Sequence, residues 1–191
     1  MTLTSIITIW AVLWVLVALA VAAAGLRRRR PLPTAAWLIT IAAFLAAQED
    51  PLLIIQMASG RPGPGNRDGV LGLVHAHTRG HMYGAAILAL AGLGLAVVIA
   101  HAALRRREAW AWWALAGFWL LGTATDAFEV LGIYPHGFPL GPTPADGVRG
   151  FGWPTLAAWI FIWAGGLAIA APTVFARQRR PQQITVPVAA P

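Results

Sequence analysis

The amino-acid sequence predicts an all-α integral membrane protein, built as a bundle of about five transmembrane helices. Of its 191 residues, 58% are hydrophobic and only 11% are charged, and the mean hydropathy is +0.66. A soluble domain normally carries about a quarter charged residues, and a disordered chain is far less hydrophobic. The apolar residues form long runs, and most arginines stand at the ends of those runs. These three observations exclude the soluble and disordered classes.

Each predicted helix rests on one apolar segment long enough to cross a bilayer, which takes about 20 residues. The segments are residues 5–26, 35–57, 81–104, 109–133 and 153–176. No positive charge precedes the first segment, and four arginines follow it directly at 27–30, so we predict a retained helix and not a cleaved signal peptide. Two connections, 60–69 and 135–152, are rich in Gly and Pro and are predicted to be turns without further elements.

The basic residues predict how these helices are oriented in the membrane. All 14 are arginine, and ten of them are cytoplasmic if the N-terminus lies outside. Those ten stand at 27–30, at 105–107 and at 177, 179 and 180. Because positive residues accumulate on the cytoplasmic side, we predict an outside N-terminus and a cytoplasmic C-terminus. The expected location is the bacterial inner membrane, with several passes.

The composition removes several kinds of chemistry. The chain has no cysteine, which excludes disulfides, thiolate nucleophiles, cysteine-ligated zinc and iron–sulfur clusters. It also has no lysine, which excludes Schiff-base catalysis. The net charge of +7 is found at helix ends and not on a soluble basic face, so nucleic acid is not an expected partner.

Ionisable residues gather at one end of the predicted bundle. They are Glu49, Asp50, His75, His77, His81, Asp126 and Glu129. Helices two and four end in the outer half of the membrane and helix three begins there, so these residues share one depth. Ionisable groups at membrane depth cost several kcal/mol and mark a functional site by default. The spacing of His77 and His81, and of Asp126 and Glu129, lets each pair share a helical face.

A structural role for these acids is the alternative. Glu49 and Asp50 directly precede Pro51 and could be solvated at a helix break. Asp126 and Glu129 could pair with an arginine at the same end.

The residue types leave three kinds of site open. A single haem held by one histidine is compatible with the histidine count. So is a mononuclear metal site of His77, His81 and either Glu129 or Asp126. A metal-free acid–base isomerase with a carboxylate and a histidine in a dry pocket is the third. His101 lies at the opposite end and is predicted to be a snorkelling end residue.

One segment resembles a known family. Residues 75–84 read HAHTRGHMYG, of the form A-H-x-x-G-x-x-(N)-G, at the start of a membrane helix and after the loop PGPGNRDG. Farther on, TATDAFEVLGIY leads to a proline, to the loop GFPLGPTPADGVRGFG and to a last apolar helix. The motif and this order resemble the small membrane isomerases typified by styrene oxide isomerase and, more loosely, hydroxylaminobenzene mutase.

The resemblance divides the chain and also has limits. It covers residues 35–176 as a four-helix isomerase-like bundle. It leaves 1–34 as an extra N-terminal transmembrane helix with its arginine-rich turn, and 177–191 as a cytoplasmic tail predicted to be disordered. Two positions depart from the family pattern. Tyr83 stands where the motif has asparagine, and the tyrosine of the family's next helix has no counterpart here, its place falling near Phe128 or Glu129.

The resemblance implies a haem b-dependent isomerase that works as a homotrimer. It implies that His77 is the axial iron ligand, with His81, one helical turn away, as the alternative ligand or a supporting partner. Ferric iron would act as a Lewis acid that rearranges an epoxide or a similar small apolar compound to a carbonyl product. Asp126 and Glu129 would stabilise the developing cation, and Tyr83 would donate a hydrogen bond to the departing oxygen. Membrane lipid and a small apolar substrate are the other expected partners.

Two further functions remain open at the level of sequence. One is a cofactor-free acid–base isomerase or cyclase that uses Glu49, Asp50, Asp126 and Glu129. The other is a non-catalytic haem-binding membrane subunit. A bell-shaped pH–rate profile without haem absorbance would select the first, and a redox-active six-coordinate haem would select the second.

Overall fold

The computed structural model describes residues 3–49, 76–128 and 144–176, and in these ranges the chain is helical and contains no strand. It forms five α-helices and one short 3₁₀ helix. In chain order they are α1 (Leu3–Arg27), α2 (Pro31–Glu49), α3 (Ala76–Ala102), the 3₁₀ helix (Leu104–Arg106), α4 (Ala109–Phe128) and α5 (Pro144–Phe175). The predicted all-α class is therefore confirmed.

Helix α2 lies at the centre of the bundle. It packs against α1, α3 and α5, and small or branched side chains fill these contacts. Its fully buried residues are Ala35, Ala36, Ile39, Ala42 and Leu45. The contact with α5 is close because Gly166 faces α2: a Cβ there would lie 3.2 Å from the carbonyl oxygen of Ala35. Helix α1 packs across α2 and α5, on the outside of this pair.

Tryptophan side chains join α4 to α5. The indole N–H of Trp112 donates to the Leu167 carbonyl oxygen (2.9 Å), and that of Trp163 donates to the Leu115 carbonyl oxygen (3.1 Å). The indole N–H of Trp119 likewise donates to a carbonyl oxygen of α5, at 3.1 Å. Each bond satisfies a polar group that apolar surroundings would otherwise leave unpaired, so large rings can be buried here.

Within the described part of the chain, four helical segments are long and apolar enough to cross a membrane: Ile9–Arg27, Pro31–Gln48, Tyr83–Arg106 and Thr155–Phe175. Large apolar side chains are exposed along their outer faces, as expected where lipid and not water surrounds a bundle. Helix α4, the fifth predicted span, is not among the four. Candidate membrane-spanning helices are thus present, whereas their orientation stays a prediction.

The helix boundaries differ from the predicted segments at one place. Residues 144–152 were expected to be part of a Gly- and Pro-rich loop, and that expectation is wrong, because α5 begins at Pro144. A proline is well suited to the first position of a helix, because its missing N–H has no partner within the helix there. Pro154 then precedes the apolar span of α5. The second predicted connection, 60–69, lies outside the described residues.

The first arginine turn, residues 27–30, joins α1 to α2 by a fixed hydrogen-bond pattern. The N–H of Arg30 donates to the Gly25 carbonyl oxygen (2.9 Å), and that of Arg29 to the Leu26 carbonyl oxygen (3.0 Å). This is a Schellman motif, and its left-handed residue is Arg29, with φ of 52°. Pro31 is then the first residue of α2. A backbone N–H at this position has no partner within the helix, so proline loses no hydrogen bond there.

The second arginine turn, residues 104–107, repeats this pattern between α3 and α4. The N–H of Arg107 donates to the Leu104 carbonyl oxygen (2.9 Å), and the N–H of Glu108 donates to the Ala103 carbonyl oxygen (3.3 Å). Arg107 is the left-handed residue, with φ of 65°. The carbonyl oxygen of Glu108 accepts from the N–H of Ala111, so α4 starts at once.

Candidate functional site

Contacts between the helices show which helix ends lie together. Helices α1 and α2 are antiparallel, because Trp10 contacts Gln48 and Gly25 lies against Thr34. The side chains of Thr40 and His101 pair α2 with α3, and the 3₁₀ helix contacts α2. Both arginine turns therefore lie at one end of the bundle, which we call the arginine end. The end of α2, the start of α3 and the end of α4 lie at the other, which we call the polar end.

The backbone brings the predicted site residues on α3 and α4 to the polar end. A Cβ on Gly92 of α3 would lie 3.7 Å from the ring of Phe118 on α4, which fixes the register of these antiparallel helices. Eight residues farther toward the polar end, Gly84 comes level with Asp126. His81 and His77 follow one and two turns beyond Gly84, within the first two turns of α3.

Tyr83 and Gly84 lie on the part of α3 that the bundle covers least. Tyr83 is half-buried, and Gly84 is exposed, with no atom within 4 Å of a Cβ placed on it. Leu88, one turn closer to the middle, is 74% exposed. By spacing, His77, His81, Gly84 and Leu88 follow one another at intervals of four, three and four residues along a single face. That face is open and apolar just beyond the two histidines.

Thr123 is a polar-end residue that the sequence analysis missed. Its hydroxyl oxygen is buried and has no hydrogen-bond partner among the described residues. The hydroxyls of Thr34, Thr40 and Thr125 instead donate to the carbonyl oxygen four residues earlier on their own helices. Thr123 precedes Asp126 by three residues, so the two positions share a face of α4. The signal in the sequence was this spacing within TATD.

Several predicted site residues are not placed by the structure. Glu129, Asp50 and His75 lie outside the described residues, and for His77, His81, Asp126 and Glu49 only the backbone is described. No group of three metal-ligating side chains occurs in the part of the chain whose side chains are described. The helices therefore establish a common end for the backbones of Glu49, His77, His81 and Asp126, and the contacts between their side chains stay predictions.

His101 is engaged at the arginine end. Its Nε2 lies 3.0 Å from the Thr40 hydroxyl oxygen, and its ring meets the edge of Trp37, with centroids 5.3 Å apart. The Thr40 hydroxyl has one proton and donates it to the Ala36 carbonyl oxygen at 2.9 Å. The imidazole must then donate from Nε2. His101 thus joins α2 to α3, and the prediction that it snorkels as an end residue is wrong, because its ring is held by Thr40 and Trp37.

Comparisons with known proteins show no relationship. No protein-family model, no curated protein and no solved structure matches this chain.

Proposed function

We propose that this chain is a membrane-embedded isomerase, with its site at the polar end and with haem b as its cofactor. The observation that carries the proposal is the convergence of the motif residues. His77, His81 and Tyr83 on α3 come to the same end of the bundle as Asp126 on α4. The rest of the argument comes from the motif in residues 76–84 and from the family it resembles.

The open face of α3 supports a flat apolar cofactor. A haem needs an imidazole ligand and a neighbouring surface that lets the macrocycle approach. His77 is the proposed ligand, and His81 is its alternative or supporting partner. Gly84 adds no side chain to this face, and Leu88 supplies apolar surface. When bound, ferric haem supplies a Lewis acid for an epoxide oxygen.

The chain's own residues supply the remaining parts of the reaction. One C–O bond of the epoxide breaks, a hydrogen or carbon group migrates with its electron pair to the cationic carbon, and the other C–O bond becomes a carbonyl. This rearrangement needs no second substrate. Tyr83 donates a hydrogen bond to the departing oxygen, and the carboxylates of Asp126 and Glu129 stabilise the cation. The apolar helices keep water away from the cation.

Thr123 adds a second hydroxyl to this proposal. A buried hydroxyl without a protein partner costs free energy, and a ligand that accepts or donates a hydrogen bond there would offset that cost. Thr123 lies one turn inward from Asp126, so its hydroxyl bounds the inner side of the proposed site.

The proposed environment is the bacterial inner membrane, with the arginine end in the cytoplasm. A homotrimer is part of the same proposal, because the resembled family holds its haem near subunit interfaces. The polar end then opens toward the outer leaflet, from which an apolar substrate would enter.

The activity test uses the full chain, purified in detergent after expression with added haem. Aryl and terpene epoxides are incubated with the protein, and the carbonyl products are measured by gas chromatography. We expect isomerisation by the wild type and slower turnover by Tyr83→Phe with an unchanged haem spectrum, since only a hydrogen bond is lost. Haem loss in Tyr83→Phe would make this tyrosine structural.

The same assay separates the alternative functions. Isomerisation by a colourless protein with a bell-shaped pH–rate profile would select the cofactor-free acid–base enzyme. A six-coordinate, redox-active haem without isomerisation would select the haem-binding subunit.

A further inference from the structure

We propose that the two arginine turns together form a binding site for the phosphate of an anionic phospholipid. This inference does not depend on the proposed function, because the site lies at the arginine end, away from α3's motif residues. It rests on the position, the rigidity and the surroundings of seven arginines.

The arginines of both turns form one exposed, positively charged surface. Arg27, Arg28, Arg29 and Arg30 in the first turn and Arg105, Arg106 and Arg107 in the second are all exposed. Gly166 on α5 faces Ala35 near the start of α2, and the neighbouring Leu167 bonds to Trp112 near the start of α4, so the second turn lies at the same end of the bundle as the first. The acid next to these turns is Glu108, and its carboxylate accepts a hydrogen bond from the Trp110 indole. The exposed arginines therefore present a net positive charge to an anionic partner.

The turns hold their arginines rigidly. In each Schellman motif an arginine occupies the left-handed position, where glycine is the usual residue because it pays no steric cost. The positive-inside rule requires only that basic residues accumulate on the cytoplasmic side of the membrane. A flexible arginine-rich loop would satisfy that rule equally well. Hydrogen-bonded turns fix the backbone that carries the guanidinium groups, so less backbone freedom is lost on binding. Preorganisation of this kind suits a specific phosphate contact.

Exposed tryptophans place the arginines at the depth of lipid head groups. Trp37 on α2 and Trp110 and Trp113 on α4 are each more than half exposed near the arginine end. Tryptophan is enriched at the interface between hydrocarbon and water. An arginine guanidinium binds phosphate through two parallel N–H donors. The chemistry therefore fits a phospholipid with a net negative head group.

Binding can be measured on the full-length purified protein by native mass spectrometry in detergent. The probes are dioleoyl phosphatidylglycerol and dioleoyl phosphatidylcholine, which share acyl chains and differ in net charge. A juxtamembrane arginine contributes about fivefold to binding an anionic lipid, so two contacting arginines predict a preference for phosphatidylglycerol of about 25-fold. Equal binding of the two lipids would overturn the proposal.

Paired variants test whether both turns contribute to one site. R28Q/R30Q and R105Q/R106Q should each lower the preference about fivefold, because each removes one of the two contacting arginines, and combining them should abolish it. R79Q/R149Q removes the same charge from helices α3 and α5 at the polar end, and should leave the preference unchanged. An equal loss in this control would show a general charge effect and would contradict the site.

Two further measurements test whether misfolding of the variants explains the loss of preference and whether a free anion is the ligand. R105K/R106K keeps the charge and the fold but loses paired N–H donation, so a partial loss of preference is expected. A preference equal to that of the wild type would contradict the phosphate site. Displacement of phosphatidylglycerol by 10 mM inorganic phosphate (about the cellular scale) would also overturn the proposal, because it would identify a free anion as the ligand.

Discussion

The arginine end and the polar end of the bundle treat their polar side chains differently. At the arginine end, the hydroxyls of Thr34 and Thr40 donate to backbone carbonyl oxygens, and His101 bonds to Thr40. At the polar end, the buried hydroxyl of Thr123 has no partner among the described residues. Satisfied polar groups stabilise the packing of helices, whereas an unsatisfied one is retained at a cost. Thr125 and Gln48 are bonded at the polar end, so among the described residues the difference between the two ends lies in Thr123, next to the proposed site.

Gly25→Ala should give the largest effect on stability. A Cβ at Gly25 would lie 1.7 Å from the Thr34 hydroxyl oxygen and 2.8 Å from its Cβ, so α1 and α2 must move apart. Overpacking of this kind costs about 1–3 kcal/mol. The free energy of unfolding in detergent is the measurement, and Gly94→Ala, which meets no atom within 4 Å, is the control. An unchanged stability for Gly25→Ala would show that the arginine end is loosely packed.

Thr40→Val should destabilise the protein by about 1–2 kcal/mol, because the His101 imidazole then lacks its partner. Thr125→Val serves as the control, since that exposed hydroxyl bonds only to a carbonyl oxygen of its own helix. Equal effects of the two variants on unfolding would contradict the proposed role of His101 in joining α2 to α3.

Thr123→Val should act in the opposite direction from Thr40→Val. It removes a buried hydroxyl that has no partner in the described residues. The free energy of unfolding should therefore stay the same or rise by up to about 1 kcal/mol. Turnover of an epoxide should fall at the same time, because the proposed site loses a donor. A destabilisation above about 1 kcal/mol would instead assign Thr123 a structural bond.

Gly84→Ala should have the smallest effect on stability. Nothing lies within 4 Å of the added Cβ, and alanine favours helix by up to about 1 kcal/mol over glycine. Haem occupancy should nevertheless fall, because the added methyl group stands on the face that is proposed to receive the macrocycle. Absorbance per protein measures the occupancy, and an unchanged value would remove Gly84 from the haem site.

The sequence predicted the helices well because their signal is simple. Runs of about 20 apolar residues predict spanning helices whatever they contact, and four such helices are present. The start of α5 was missed because glycine and proline were read as breakers, although Pro144 suits a first helical position. Gly- and Pro-rich segments can continue a helix when the remaining backbone bonds are made.

The contacts between helices were beyond the sequence analysis. The indole bonds of Trp112, Trp119 and Trp163 depend on the register of α4 against α5, which no single segment encodes. The sequence could not show that the buried hydroxyl of Thr123 lacks a hydrogen-bond partner among the described residues, because this depends on its neighbours in the structure. The common end of the motif residues, in contrast, follows from the alternating directions of successive spans.

The most direct test of the account is the visible absorption spectrum of the purified protein, oxidised and then reduced with dithionite. The wild type should show a Soret band. His77→Ala should lose it, His81→Ala should weaken it less, and His101→Ala, the matched change at the arginine end, should keep it. A folded wild type that stays colourless after expression with added haem, or a band lost in His101→Ala and kept in His77→Ala, would contradict the account.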